Sequence, residues 1–240
     1  MNIPVVKEWG SWAVFVSSLS AGLITGLSAY QWQAVRVFSI KTLFTVLGLS
    51  LLINSKNPLA STIRTKGANK EHLLWFLFFS MSGLAFLSPF LIDGLKSFSI
   101  FSLFIVSYVI LLSRGKEHYL VTELNGFALL TLSAPIVYFV ITGEMSLRLY
   151  AAVFIFFAAG VFKVRVRLKK TLVFRWITAL YCFAAPVVFY GLNISVILLL
   201  PLLENIVNVL LMREEKLKTT GDIELIKAVV FIVLIGLFWE

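Results

Sequence analysis

The run from Leu124 to Ile141 fixes the kind of solvent this chain can fold in. Across it, the only polar side chains are Asn125, Thr131, Ser133 and the ring hydroxyl of Tyr138. It is entered through an ionisable collar of Arg114, Lys116, Glu117, His118 and Glu123, and it stops at Thr142-Gly143. An uninterrupted apolar run of about this length reads as a membrane span. The rest of the chain repeats the theme. Of its 240 residues, 60% are hydrophobic and 14% charged, where a soluble domain carries about a quarter charged residues.

The expected fold class is all-α: a polytopic membrane helix bundle of about nine transmembrane helices, forming a single domain over residues 1–240. The expected spans are Ser11–Tyr30, Val37–Ile53, Leu73–Ile92, Phe98–Leu112, Leu124–Ile141, Leu147–Phe162, Leu172–Tyr190, Asn193–Met212 and Leu225–Phe238. The run from Leu172 to Met212 is too long for one span and divides at Gly191-Leu192-Asn193, where Gly-x-Asn is turn chemistry. No cleavable leader is expected, because the first apolar run ends in Ala29-Tyr30-Gln31-Trp32, without a small-residue cleavage pattern. Cys182 stands alone, so no intrachain disulfide is expected.

Loop charge sets the expected orientation. With the N-terminus inside, only Arg36, Lys41, Lys96 and Arg148 of the 21 Lys and Arg residues fall outside. Basic residues concentrate on the cytoplasmic side of short loops, so the chain is read as N-in and C-out in a cell inner membrane. The formal charge of +9 then belongs to membrane topology, and no nucleic-acid partner is expected. The inner connections Asn54–His72, Ser113–Glu123, Lys163–Thr171 and Arg213–Glu224 are expected to be polar loops, and the outer ones are very short. Chemistry is therefore expected within the bundle or at its inner face.

Several residues are candidates for that chemistry. The segment Lys163-Val164-Arg165-Val166-Arg167-Leu168-Lys169-Lys170 leaves the sixth span. If helical, it puts Lys163, Arg167 and Lys170 on one face and Arg165 and Lys169 on another. It is read either as an anchor on anionic lipid or as a site for a phosphate-bearing head group, joined by Arg64 and Lys116. Glu204 lies within the eighth span, and Asn208 follows one turn later on the same face. A carboxylate at that depth is costly and reads as functional by default, although hydrogen bonding between helices also accounts for it. Lys41 or Lys227 is its candidate partner, and depth alone does not choose between them. His118, between Glu117 and Glu123, reads as an interfacial anchor or a proton relay. Two histidines 46 residues apart make a metal site unexpected, and no cofactor is expected. Gly22, Gly26, Gly83, Gly126 and Gly160 are expected to permit close helix packing. A weak internal echo links Lys7-Glu8-Trp9, Lys70-Glu71-His72 and Lys116-Glu117-His118, with Pro89 and Pro135 at the same offset from their histidines. It reads as a set of ordinary interfacial anchors or as a trace of an ancestral repeat.

Taken together, these motifs resemble the YwiC-like family of bacterial integral membrane proteins. Lys7-Glu8-Trp9-Gly10-Ser11-Trp12-Ala13 is similar to that family's opening motif. Lys116-Glu117-His118, Glu123-Leu124-Asn125-Gly126, Ala134-Pro135, Tyr138 and Thr142-Gly143 are similar to its central segment. Gly160-Val161-Phe162 with Val164 and Val166, and Gly221-Asp222-Ile223-Glu224, resemble two later motifs. The chain departs from the family at Trp9, where a His is expected. The family brings no settled activity. More distantly, the span pattern is similar to UbiA-type prenyltransferases, which bind Mg²⁺ and a diphosphate through Asp-rich motifs. Asn54–His72 contains no Asp, and Lys163–Thr171 contains no acid. The prenyltransferase reaction is therefore not expected, and the resemblance extends to the shape of the bundle alone.

The resulting expectation is a basic-mouthed cavity open to the cytoplasm that binds an amphipathic anionic lipid or isoprenoid. Glu204, Asn208, Lys116, His118, Arg64, Arg165, Arg167 and Lys169 are its candidate ligand-binding residues. Membrane lipids are the other expected partners. Two alternatives stay open: a small permease coupled to protons through Glu204, and a structural or assembly subunit.

Overall fold

Long apolar runs punctuated by Gly, Pro and short polar turns leave the backbone one way to satisfy its hydrogen bonds in lipid, and that is helix. The computed structural model describes residues 4, 6, 8–29, 40–211 and 217–239, the side chains of 209–211 and 217 excepted. Every regular element among them is helical. In order these are α1 (Trp9–Ala29), α2 (Ile40–Asn54), α3 (Lys56–Arg64), α4 (Lys70–Leu91), α5 (Leu95–Phe98), α6 (Ser102–Ser113), α7 (Leu120–Thr131), α8 (Ser133–Thr142), α9 (Leu147–Lys169), α10 (Leu172–Gly191), α11 (Leu203–Leu211) and α12 (Leu217–Phe238). Short 3₁₀ segments, Ser99–Phe101 and Val196–Leu202, lead into α6 and α11.

Six stretches are long and apolar enough to cross a membrane: Trp9–Ala29, Lys70–Leu91, Leu95–Ser113, Leu120–Thr142, Leu147–Lys169 and Leu172–Gly191. They coincide with the first and with the third to seventh expected spans. The other three expected spans fall on helices of a different kind. The second overlaps α2, a helix of 15 described residues. The eighth opens as a 3₁₀ segment and continues as the nine-residue α11. The ninth is the C-terminal part of α12, which begins eight residues earlier, at Leu217. Val37, Met212 and the cations Lys7, Arg36, Arg213 and Lys216 lie outside the described residues. The turn expected at Gly191 is present: α10 ends there, and Asn193 takes a left-handed φ of 54°.

The expected inner loops are largely helix, which corrects the loop reading. Asn54–His72 contains α3, whose Pro58 sits in the first turn, where its missing N–H costs nothing. The segment Lys163–Lys169 simply continues α9, its basic residues complementing the negative end of the helix dipole. Asn69 and Ser146 cap α4 and α9 with their side-chain oxygens.

Lipid tails are as apolar as leucine, so helices in a bilayer associate through close packing more than through burial from water. The glycines show where that happens. A Cβ at Gly22 would collide with the Ala134 carbonyl oxygen, so α1 and α8 touch backbone to backbone. A Cβ at Gly26 would meet the Ile141 side chain at 2.9 Å. Gly48 and Gly83 face each other where α2 crosses α4, each 2.9 Å from the other's carbonyl by the same measure. Gly126 does not fit the close-packing expectation, since its nearest neighbour is a Tyr108 ring atom at 3.9 Å. The main core joins α1, α8, α9, α10 and α12 around Phe189, Leu198, Phe231 and Ile235. Phe156 and Phe231 stack at 3.9 Å within it.

The outward faces are apolar as well. Leu74, Leu77, Phe78, Met81 and Leu84 of α4 are exposed, as are Leu103, Ile105, Val106 and Ile110 of α6 and Leu180, Phe183 and Val187 of α10. A soluble monomer does not carry continuous apolar ridges of this extent. They are the surface a bilayer covers, and the chain is a multi-pass helical bundle of membrane type. Gly22→Ala should destabilise it by roughly 1–3 kcal/mol through overpacking, whereas Gly126→Ala should be nearly neutral. Thermal unfolding of the two variants in mild detergent reads the difference.

Candidate ligand cavity and the ionic ring beside it

Pro135 shapes the site. It lacks the N–H that would continue the helix from α7 into α8, and its ring crowds the preceding turn. The helix breaks between Thr131 and Ser133. The hydroxyls there bond back to the chain, Thr131 to the Phe127 carbonyl at 2.9 Å and Ser133 to the Leu130 carbonyl at 2.9 Å. Beyond the break α8 is clamped to α1 at Gly22. Before it, α7 and the start of α1, together with α3, α6, α9 and α12, enclose a cavity of about 500 Å³.

The interior of the cavity is apolar, with Val14, Phe127, Leu130, Phe157, Val161 and Ala228 on its walls. Polar groups in the lining include Glu8, Lys56, Arg64, Tyr108, Glu117, His118, Glu123 and Glu224. The polar face of α3 supplies Lys56, Asn57, Ala60 and Arg64. Two ion pairs fasten that helix. Lys56 Nζ lies 2.7 Å from Glu8 Oε2, and Arg64 forks onto both oxygens of Glu117. Arg64 holds the Glu117 carboxyl below the usual carboxylate range. Partial burial pushes the Glu8 carboxyl up, but Lys56 and Ser11 outweigh it and the net shift is downward. The first and third copies of the sequence echo thus meet on one short helix.

Behind the cavity wall lies a ring of charge. Lys163 of α9 and Lys227 of α12 are 3% and 5% exposed. Lys163 Nζ reaches Glu204 at 2.6 Å and Glu224 at 3.0 Å. Lys227 Nζ reaches Glu224 at 2.7 Å and Glu204 at 3.3 Å. Asn205 accepts from Lys227, and Asn208 donates to Glu204. Two cations and two carboxylates therefore alternate around a closed circuit joining α9, α11 and α12. Glu224 belongs both to this ring and to the cavity lining.

The predicted residues divide. Arg64 and His118 line the cavity. Glu204 and Asn208 lie together in and beside the ring, with Arg167 Nη2 donating to Asn208 at 3.4 Å. Arg165 turns to the other side of α9, to both oxygens of Glu123 and the His118 carbonyl. Lys163 and Arg167 thus meet α11 while Arg165 meets α7, so these three lie on two faces of α9. Lys116 lies over the Tyr119 ring and Lys169 over the Phe174 ring. Lys116, Arg165, Arg167 and Lys169 are not among the described lining residues, which hold four carboxylates against Lys56 and Arg64. Of the candidate partners of Glu204, Lys227 is one, whereas Lys41 is exposed on α2.

Sequence reasoning missed Lys163 as a partner of Glu204, and it missed Glu224. A signal existed for both. Lys163 and Arg167 are spaced like Glu204 and Asn208, one turn apart, and Glu224 precedes Lys227 by three residues at the head of an apolar helix. Gly160 also has a different role from the packing one expected. A Cβ there would meet Glu224 Oε2 at 3.0 Å rather than another backbone. Among the described residues no group of His, Cys, Asp and Glu is arranged to hold a metal ion. No family model, no curated protein and no solved structure matches this chain.

Removing one member of a buried ion pair leaves its partner uncompensated, at a cost of about 3–5 kcal/mol. Lys163→Met should therefore destabilise the protein strongly. Lys163→Met combined with Glu204→Leu should cost less than the sum of the two single changes. A double-mutant cycle on thermal or denaturant unfolding measures that coupling.

Proposed function

We propose that this chain is a YwiC-like integral protein of the cell inner membrane whose cavity binds an amphipathic lipid-like or isoprenoid molecule. In this reading the bundle has about nine spans in a UbiA-like arrangement, with the N-terminus inside and the C-terminus outside. The carrying observation is a cavity of about 500 Å³ with apolar walls and a polar rim. That size and division suit a ligand with a hydrophobic body and a polar head. The rim is built from the collar before α7, the start of α1 and the helix α3, all in segments assigned to the cytoplasmic side by their basic residues.

The missing Asp-rich motifs argue for binding without prenyl transfer. No observation favours the permease or the assembly subunit over binding, since Glu204 is occupied by Lys163, Lys227 and Asn208.

Native mass spectrometry of the full chain, released from mild detergent, should show a copurified lipid-like adduct. Replacing Phe157 by Trp should deplete it by filling the apolar space. A protein that carries no adduct and takes up no amphipath would overturn the reading. Orientation is read separately. In a Cys182→Ser background, a cysteine at Lys169 should react with impermeant thiol reagents only from the cytoplasmic side. Labelling from the opposite side would invert the proposed topology.

A further inference from the structure

The cations at and behind the cavity wall already have carboxylates. Lys56 is held by Glu8, Arg64 by Glu117 and Arg165 by Glu123, while Lys163 and Lys227 share Glu204 and Glu224. Charge around the cavity is compensated pair by pair. An anionic head group would have to draw a cation away from its carboxylate, and an ammonium head group would do the reverse. At Lys163, Lys227 and Arg165, the buried cations, either exchange strands a charged side chain beside an apolar chamber, where an unpaired charge is poorly tolerated.

Glu224 offers something else. Both lysines bond its Oε1. Its Oε2 lies beside Gly160, where an added Cβ would stand 3.0 Å away. Gly160 and Glu224 both line the cavity. The bare Cα at position 160 therefore leaves the outer edge of this carboxylate accessible from the apolar chamber. An ionised carboxylate accepts hydrogen bonds and donates none, and a bond to it from a neutral donor is stronger than one between neutral groups.

We infer that the cavity selects an uncharged amphipath bearing a hydroxyl group, whose O–H donates to Glu224 Oε2 while its hydrocarbon lies against Phe127, Leu130 and Phe157. This rests on the binding function proposed above and names the class of head group. Gly160 is the residue that sets access to the acceptor.

The test uses three probes with one tail: farnesol, farnesylamine and farnesyl phosphate. Each is titrated into the full-length protein in phosphatidylcholine nanodiscs, with binding read by native mass spectrometry. Farnesol should bind at least about tenfold tighter than either charged probe, as expected when a mismatched head group leaves buried polar groups unpaired. Gly160→Ala crowds Oε2 without altering charge and should weaken farnesol binding by roughly fivefold. Glu224→Gln paired with Lys227→Met keeps the ring compensated and should abolish the preference for the alcohol. Tighter binding of the phosphate or the amine would overturn this inference and leave the binding function standing. Farnesol binding untouched by Gly160→Ala would also overturn it. If none of the three probes binds, the proposed binding function falls with it.

Discussion

Two lysines buried in a helical bundle of membrane type need carboxylates close by, and much of this architecture follows from meeting that need. Lys163 and Lys227 sit on helices far apart in sequence, and neither can reach water easily. Each is met by the same two glutamates, one at the start of α11 and one in the first half of α12. A ring of four charges satisfies every member only in one relative placement of the helices. A shift of α12 by one turn, about 5.4 Å, would break both of its contributions at once. The ring thus acts as a register device, a use of buried ion pairs better attested than any direct gain in stability.

The crossing of α1 and α8 is held by a different force. There α1 and α8 meet at Gly22 and Ala134 closely enough that no side chain fits between them. Dispersion falls steeply with distance, so the contact depends on small residues at the crossing. The Pro135 break separates this clamp from the N-terminal half of α7. The cavity lies on the near side of the break, where α3, α7, α9 and α12 meet the start of α1.

Charge at the cavity mouth is organised locally. α3 is too short to span a bilayer, and its polar face looks into the cavity. Its two cations pair with acids from the two neighbouring elements, Glu8 before α1 and Glu117 before α7. Solvent-accessible pairs of this kind contribute little energy individually, about 0–1 kcal/mol. They do determine which charges face the cavity and which are already neutralised. The two cations of α3 therefore do not make the cavity mouth basic.

The apolar runs, their lengths and their interruptions by Gly, Pro and polar turns determined by themselves that this chain forms a multi-pass bundle. That follows because backbone hydrogen bonding in lipid admits few solutions. The turn at Gly191–Asn193, the two faces of the α9 basic segment and the approach at Gly22 were all legible locally. α3 was not, since nine residues with a mixed pattern read as loop until neighbours cover one side. The identity of Glu204's partners was not legible either. Pairing depends on which helices lie next to each other, and a one-dimensional pattern cannot rank Lys41, Lys163 and Lys227. Only the tertiary packing decided that Lys163 turns inward to Glu204, that Arg165 turns to Glu123 and that Glu224 stands between the ring and the cavity. The physical reason is that electrostatic compensation is a property of positions in space, whereas apolarity is carried by each residue alone.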